Sequence, residues 1–175
     1  MKSVWIRRLS LGFLSLGLLL VLAMVVREVR WYALASHPPE DIALPSVSLF
    51  TLDGGIIDLR AYLGTPLVVN LWASWCPPCQ RELPMMARVA EEGGVLFLFV
   101  AVKDKPERVK DFLREHRIKP SRWTRFFLGD EPLIRAVYTV GLPTTLFFGS
   151  DGKARGRHLG EIDEKTLRGK MEVLR

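Results

Sequence analysis

The sequence predicts an α/β domain with a mixed central sheet and helices on both faces. Short apolar runs, which are typical of buried strands, occur at residues 66–72 and 95–102. Each run is followed by a segment with the apolar spacing of a helix, and shorter strands come before and after them. The expected order of elements is therefore β-β-β-α-β-α-α-β-β-α. For 175 residues, of which 49% are hydrophobic, this corresponds to one folded domain with an appendage.

Each element follows from its local pattern. Residues 47–52 and 56–59 flank Asp53-Gly54-Gly55, which is typical of a hairpin turn. The run at 66–72 has the composition of a central strand, and Cys76-Pro77-Pro78-Cys79 follows it closely. Proline is tolerated in a first helical turn, so a helix over 79–92 can begin inside this motif. The later elements are a strand at 95–102, helices at 105–116 and 132–138, strands at 145–148 and 155–159, and a closing helix at 165–174.

A basic cluster lies between the two middle helices, with Trp123 and Phe126 interleaved. It has two interpretations: a surface for an anionic partner, or a solvated helix end and loop. Acidic residues lie close by, so the second is favoured. The basic residues are Arg114, Arg117, Lys119, Arg122 and Arg125, and the acidic ones Asp111, Glu115, Asp130 and Glu131.

The N-terminal segment is expected to be a membrane anchor. Residues 9–26 carry no charge, and leucine is their commonest residue. A helix of this length extends about 27 Å, close to the ~30 Å thickness of the hydrocarbon core. Lys2, Arg7 and Arg8 should keep the N-terminus in the cytoplasm. We expect a cytoplasmic tail at 1–8, a single transmembrane helix at 9–26, a linker at 27–44 and an extracytoplasmic domain at 45–175.

A cleaved secretory signal is the alternative for the same segment. Ala33-Leu34-Ala35 has the small-x-small pattern of a cleavage site, but it lies well beyond the apolar stretch. The anchor is therefore favoured. The same segment accounts for most of the net charge of +6, because the first 30 residues hold five basic side chains against Glu28. The positive charge thus indicates membrane topology, and no nucleic-acid partner is expected.

The two cysteines indicate redox chemistry. Two cysteines are too few for a disulfide framework or a four-thiolate zinc site. A thiolate at a helix N-terminus is stabilised by the partial positive charge there, and thiolates are the attacking species in disulfide exchange. Cys76, at the exposed tip, is the expected nucleophile, and Cys79 the resolving thiol. Trp75, Pro77 and Pro78 offer an apolar contact surface for a substrate.

Three other uses of these cysteines are less favoured by the sequence. A structural disulfide is disfavoured, because closing a four-residue loop contributes only ~2 kcal/mol of stability by chain entropy. A copper-binding chaperone would use Cys76, Cys79 and His158 as ligands. A thiol peroxidase usually has a threonine where this sequence has Ala73. The strand–CxxC–helix context favours thiol–disulfide exchange over both.

The motif closely resembles the active-site segment of thioredoxin-like proteins, and in particular the membrane-anchored TlpA/ResA group of bacterial thiol–disulfide oxidoreductases. The resemblance covers about residues 45–165. It implies a thioredoxin fold with an added N-terminal β-hairpin, and no cofactor beyond a redox-active Cys76–Cys79 disulfide. The segments that carry it are 64–70, Trp72-Ala73-Ser74-Trp75-Cys76-Pro77-Pro78-Cys79, Arg81-Glu82-Leu83-Pro84, Gly141-Leu142-Pro143-Thr144-Thr145 and Asp151-Gly152.

The resemblance also assigns roles to single residues. Pro143 would be cis beside the disulfide, with the backbone of Leu142 open to pair with a substrate strand. Glu82 would move a proton to or from Cys79, or contact the substrate; the alternative is a solvated helix carboxylate. Asn70 stands where ordinary thioredoxins carry a buried aspartate, so the proton route through that acid is absent here.

The implied function is reduction of client disulfides outside the cytoplasm. The clients would be apocytochrome c or copper-centre assembly proteins, and the electron source a membrane thiol transporter of the CcdA/DsbD type. The implied location is the bacterial cytoplasmic membrane, with the catalytic domain on the periplasmic side. A disulfide donor of the DsbA type stays open as an alternative.

Overall fold

A computed structural model describes residues 17–30 and 42–174, and the chain divides into two compact units between Pro38 and Pro39. In the first unit, residues 17–30 form helix α1, whose apolar side chains are exposed. This helix includes 27–30, which the sequence analysis placed in the linker. The expected tail at 1–8 and the first part of the expected anchor lie outside the described residues. Within the described ranges, no helix combines the length and the apolar character needed to cross a membrane.

The second unit is built on a seven-stranded mixed sheet. Its strand order is β2-β1-β5-β4-β3-β6-β7, in which β4 runs parallel to both of its neighbours, β3 and β5, and the other pairings are antiparallel. The expected mixed sheet and N-terminal hairpin are both confirmed. The strands are β1 Ser48–Thr51, β2 Ile56–Asp58, β3 Leu67–Trp72, β4 Leu96–Val102, β5 Thr124–Gly129, β6 Thr144–Phe148 and β7 Ala154–Leu159.

Helices cover both faces of this sheet and bury two apolar clusters. Side chains alternate between the faces along a strand, so Val68 and Trp72 of β3 join one cluster while Val69 and Leu71 join the other. Helices α2, α3 and α5 pack on the first face, and α4 packs on the second. The helices are α2 Pro77–Ala90, α3 Pro106–Glu115, α4 Glu131–Ala136 and α5 Glu164–Glu172, with a 3-10 turn at Leu59–Tyr62.

Strand β5 was not predicted from the sequence. A solvated helix end and loop was favoured for this stretch because acidic residues lie close to its basic cluster. The structure instead places Phe126 in the first cluster and Phe127 in the second. Arg125 lies near the start of the strand, and its guanidinium donates to the carbonyl oxygens of Ser121 and Thr124.

The folded domain begins before the expected boundary at residue 45. Ile42 and Leu44 are buried in the second cluster. The Leu44 N–H donates to the Gly152 carbonyl at 2.7 Å, and Ala43 bridges to Lys153. Residues 42–44 therefore belong to the domain and not to the linker, because their backbone and side chains are part of its packing.

Candidate active site

The two cysteines lie at the start of α2, the helix that follows β3. Cys76 is the N-cap of α2, Pro77 and Pro78 occupy its first two positions, and a disulfide joins Cys76 to Cys79 with the Cα atoms 5.3 Å apart. The N–H groups at the start of a helix have no partner within it, so the two prolines remove donors that the helix does not need. The helix can therefore begin at this motif, two residues before the expected start.

The cysteines differ in accessibility. Cys76 is 4% exposed, whereas Cys79 is fully buried. Cys76 is thus less open than the expected exposed tip, because it packs into the first cluster together with Trp72 and Ala73. Trp75 beside it is 51% exposed and Pro77 is exposed, while Pro78 is half-buried. Of the two cysteines, only Cys76 has any surface open to a partner.

Residues after β4 hold the loop that precedes Cys76. Asp104 accepts a hydrogen bond from the Ser74 N–H at 2.6 Å, and the Lys103 carbonyl accepts one from the Trp75 indole at 3.0 Å. From α2, the Gln80 amide donates to the Ser74 carbonyl at 2.5 Å. None of these three contacts was predicted from the sequence. Parallel strands β3 and β4 end at the same edge of the sheet, so an acid directly after β4 was the available signal.

The loop before β6 lies against the disulfide cluster. The Leu142–Pro143 peptide bond is cis, so the conformation implied by the resemblance is confirmed. Leu142 is half-buried and packs against the cluster that contains both cysteines, while Pro143 is buried. The Thr144 hydroxyl donates to the Gly141 carbonyl at 2.7 Å, which closes the loop on itself.

Glu82 is a buried carboxyl, and the alternative of a solvated helix carboxylate is wrong. It is 2% exposed and follows Cys79 by one helical turn on the buried face of α2. Its Oε1 accepts from the Asn70 amide at 2.8 Å, and its Oε2 accepts from the Ile162 N–H at 2.8 Å. Burial raises the pKa of Glu82 to about 7, and these two hydrogen bonds oppose the rise.

His158 lies on β7, and one of its ring nitrogens is 3.1 Å from the Glu161 carbonyl oxygen. Within residues 17–30 and 42–174, no group of three or more His, Cys, Asp or Glu side chains is arranged to hold a metal ion. The ligand set that a copper chaperone would need, Cys76, Cys79 and His158, is therefore not assembled in this disulfide-bonded form.

Comparison with known proteins identifies the family. A model of the AhpC/TSA family matches residues 41–157. The chain belongs to the AhpC/TSA family. Among curated relatives, it is 28% identical to the thioredoxin-like protein YneN of Bacillus subtilis, covering 90% of this chain and 95% of that one. It is 30% identical to the thiol:disulfide interchange protein DsbE of Pseudomonas fluorescens, covering 89% and 88%.

Other similarities point to the same activity within the AhpC/TSA family. The thiol–disulfide oxidoreductase ResA of Bacillus cereus is 27% identical, covering 74% of this chain and 75% of ResA. A thioredoxin-family thiol:disulfide interchange protein from Chlorobium tepidum has a solved structure that is 26% identical, with a TM-score of 0.66, covering 78% and 97%. The domain therefore has the thioredoxin-like fold, and the protein is a thiol–disulfide oxidoreductase.

Proposed function

We propose that this oxidoreductase reduces disulfides in client proteins, with Cys76 as the attacking thiol and Cys79 as the resolving thiol. The observation that supports the proposal is the order of three residues along α2 and the burial of each. Cys76, which is 4% exposed, lies at the start of α2, Cys79 is fully buried one turn along the helix, and the buried Glu82 follows after one more turn. Cys76 is thus the cysteine that a client can reach, and Cys79 lies one helical turn before a carboxyl whose pKa is about 7.

The proposed reaction has two exchange steps. The Cys76 thiolate attacks one sulfur of a client disulfide, which breaks that bond, forms a mixed disulfide and releases a client thiolate that takes up a proton. Cys79 then passes its thiol proton to Glu82 and attacks the Cys76 sulfur. The second client thiolate leaves and is protonated. The client gains two electrons and two protons, and the enzyme ends with the Cys76–Cys79 disulfide.

The surface around Cys76 would bind an extended segment of the client. Trp75, Pro77 and Pro78 supply apolar contact on one side of the sulfur. Leu142 and Pro143 supply the other side, where the Leu142 backbone pairs with the client in the manner of an added strand. Main-chain pairing of this kind tolerates many sequences, which suits an enzyme that must accept the region around a disulfide.

We further propose that the enzyme works on the periplasmic side of the bacterial cytoplasmic membrane. The uncharged residues 9–26 support an anchor, as do the basic residues that precede them. Exposed thiols oxidise outside the cytoplasm, so a reductant there needs electrons from a membrane thiol transporter of the CcdA/DsbD type. Apocytochrome c and copper-centre assembly proteins are the proposed clients, and no cofactor is needed beyond the redox disulfide.

The equilibrium reduction potential of the full chain tests the proposed direction. It is measured in thiol–disulfide buffers, with the free thiols counted after alkylation. A potential near that of thioredoxin, about −270 mV, supports a reductant. A potential near that of DsbA, about −120 mV, contradicts it and favours the disulfide-donor alternative. The Cys76→Ser and Cys79→Ser variants serve as controls, because neither can form the disulfide.

A further inference from the structure

Asn70 is a buried polar residue in a strand whose other members are all apolar. Side chains alternate along β3, so Asn70 shares the face of Val68 and Trp72, which lies under α2. Its Nδ2 donates to Glu82 Oε1 at 2.8 Å and to Thr145 Oγ1 at 3.0 Å. Its Oδ1 is buried and accepts no hydrogen bond. The side-chain amide thus donates two hydrogen bonds, while its carbonyl oxygen has no hydrogen-bond partner.

This orientation suits an ionised Glu82. A carboxylate is purely an acceptor, and both Glu82 oxygens face N–H groups, one from Asn70 and one from the Ile162 backbone. The reverse amide orientation would place the Asn70 carbonyl oxygen against a carboxylate oxygen. An unsatisfied buried carbonyl is unfavourable, so the fold accepts a local loss of stability at Asn70 in order to present a donor to Glu82.

Thr145 holds the amide in place from the neighbouring strand. Asn70 and Thr145 are directly paired residues of the antiparallel β3–β6 ladder, so their side chains project from the same face of the sheet. Thr145 lies two residues after Pro143 in the chain. Through this pair, Asn70, which donates to Glu82, is connected to β6, the strand that follows the proposed client-binding loop.

Other groups around Glu82 also affect whether its carboxyl is ionised. Cys79 lies one turn earlier on the same helix, and the Ile162 N–H comes from the segment that precedes α5. The nearby Glu161 carboxylate disfavours ionisation of Glu82, although Arg81 pairs with it. Burial disfavours ionisation further, so Asn70 is the side chain that supports the ionised form.

We propose that Asn70, held by Thr145, is a positioning residue for disulfide exchange, whose amide orients Glu82 and sets the pH at which that carboxyl releases its proton. This inference rests on the proposed role of Glu82 toward Cys79. An aspartate at position 70 would not serve, because two carboxyls in contact share a proton and titrate as a coupled pair.

The direct test is the titration of Glu82 in the disulfide-bonded full chain, followed by the ¹³C NMR shift of its side-chain carboxyl. The variants are Asn70→Leu and the nearly isosteric Thr145→Val. We expect the Glu82 midpoint to rise by about one pH unit in Asn70→Leu and by less in Thr145→Val, since a hydrogen bond to the charged form is lost or loosened. The matched control is Thr139→Val, because the Thr139 hydroxyl is buried, lacks a partner and is not a contact of Glu82.

The pH profile of exchange with a small disulfide separates this inference from the function on which it rests. We expect the profile of each variant to move by the same amount as its Glu82 midpoint. An unmoved midpoint in folded Thr145→Val and Asn70→Leu overturns the role of Asn70 and leaves exchange at Cys76 intact. A midpoint that moves while the exchange profile does not overturns the proposed role of Glu82.

Discussion

Glu82 should make the stability of the domain depend on pH, and the change Glu82→Gln should remove that dependence. Its pKa is about 7 in the folded protein, against 4.5 for an ordinary glutamate. The folded state therefore holds the proton more tightly than the unfolded state. Stability from this group is fully present below pH 4.5 and is lost as the pH rises through about 7. At 1.36 kcal/mol for each pH unit, the loss is about 3 kcal/mol.

Urea denaturation of the disulfide-bonded full chain in a mild non-ionic detergent measures this effect. The free energies of unfolding are compared at about pH 4.5 and pH 8 for the wild type and Glu82→Gln. Groups that titrate alike in both proteins cancel in the comparison. We expect the wild type to lose about 3 kcal/mol more than the variant over this range. Equal pH dependence in the two proteins would refute the burial argument. The matched control is Glu115→Gln, because Glu115 is an exposed carboxylate on a different helix.

Three further changes test other parts of the structure. Asp104→Ala removes the acceptor of the Ser74 N–H. Urea denaturation should show that the free energy of unfolding falls by about 2 kcal/mol, and reduced Cys76 should be alkylated faster. Unchanged values of both would exclude a role of Asp104 in holding the loop. Leu44→Ala should lower the free energy of unfolding by about 3 kcal/mol because this side chain is buried, whereas exposed Val173→Ala should change it by less than about 0.5 kcal/mol; equal effects would contradict a domain that begins at Ile42. Trp75→Ala should change stability by less than about 1 kcal/mol because the side chain is half exposed, yet slow exchange with a peptide disulfide about tenfold; an unchanged exchange rate would exclude Trp75 from the client surface.

The central strands and the cysteine motif could be predicted because their signals are local. β3 and β4 are continuous apolar runs, and the Cys76–Cys79 spacing directly follows the first of them. β5 was missed for an equally local reason. Phe126 and Phe127 are its buried apolar residues, one on each face of the sheet, and the half-buried Arg125 precedes them. The strand therefore lacks the long apolar run of β3 and β4.

The polar contacts of the site could not be predicted, because they join residues far apart in the chain. The partners of Glu82 are Asn70 and Ile162, and the partner of Ser74 is Asp104. Which of them meet is decided by the order of strands in the sheet and by the helix faces that pack on it. The position of Glu82 one turn after Cys79, on the same face as Met86, was the available indication that its carboxyl is buried.

Trapping of mixed disulfides tests the proposed exchange at Cys76 most directly. Full-length Cys79→Ser and Cys76→Ser variants are expressed in bacterial cells, the thiols are blocked with an alkylating agent, and the captured proteins are separated with and without reductant. Because Cys79→Ser lacks the resolving thiol, we expect client proteins to stay bound to its Cys76 through a disulfide that reductant releases. Cys76→Ser should capture far less. Equal capture by the two variants, or none by Cys79→Ser, would contradict attack by Cys76.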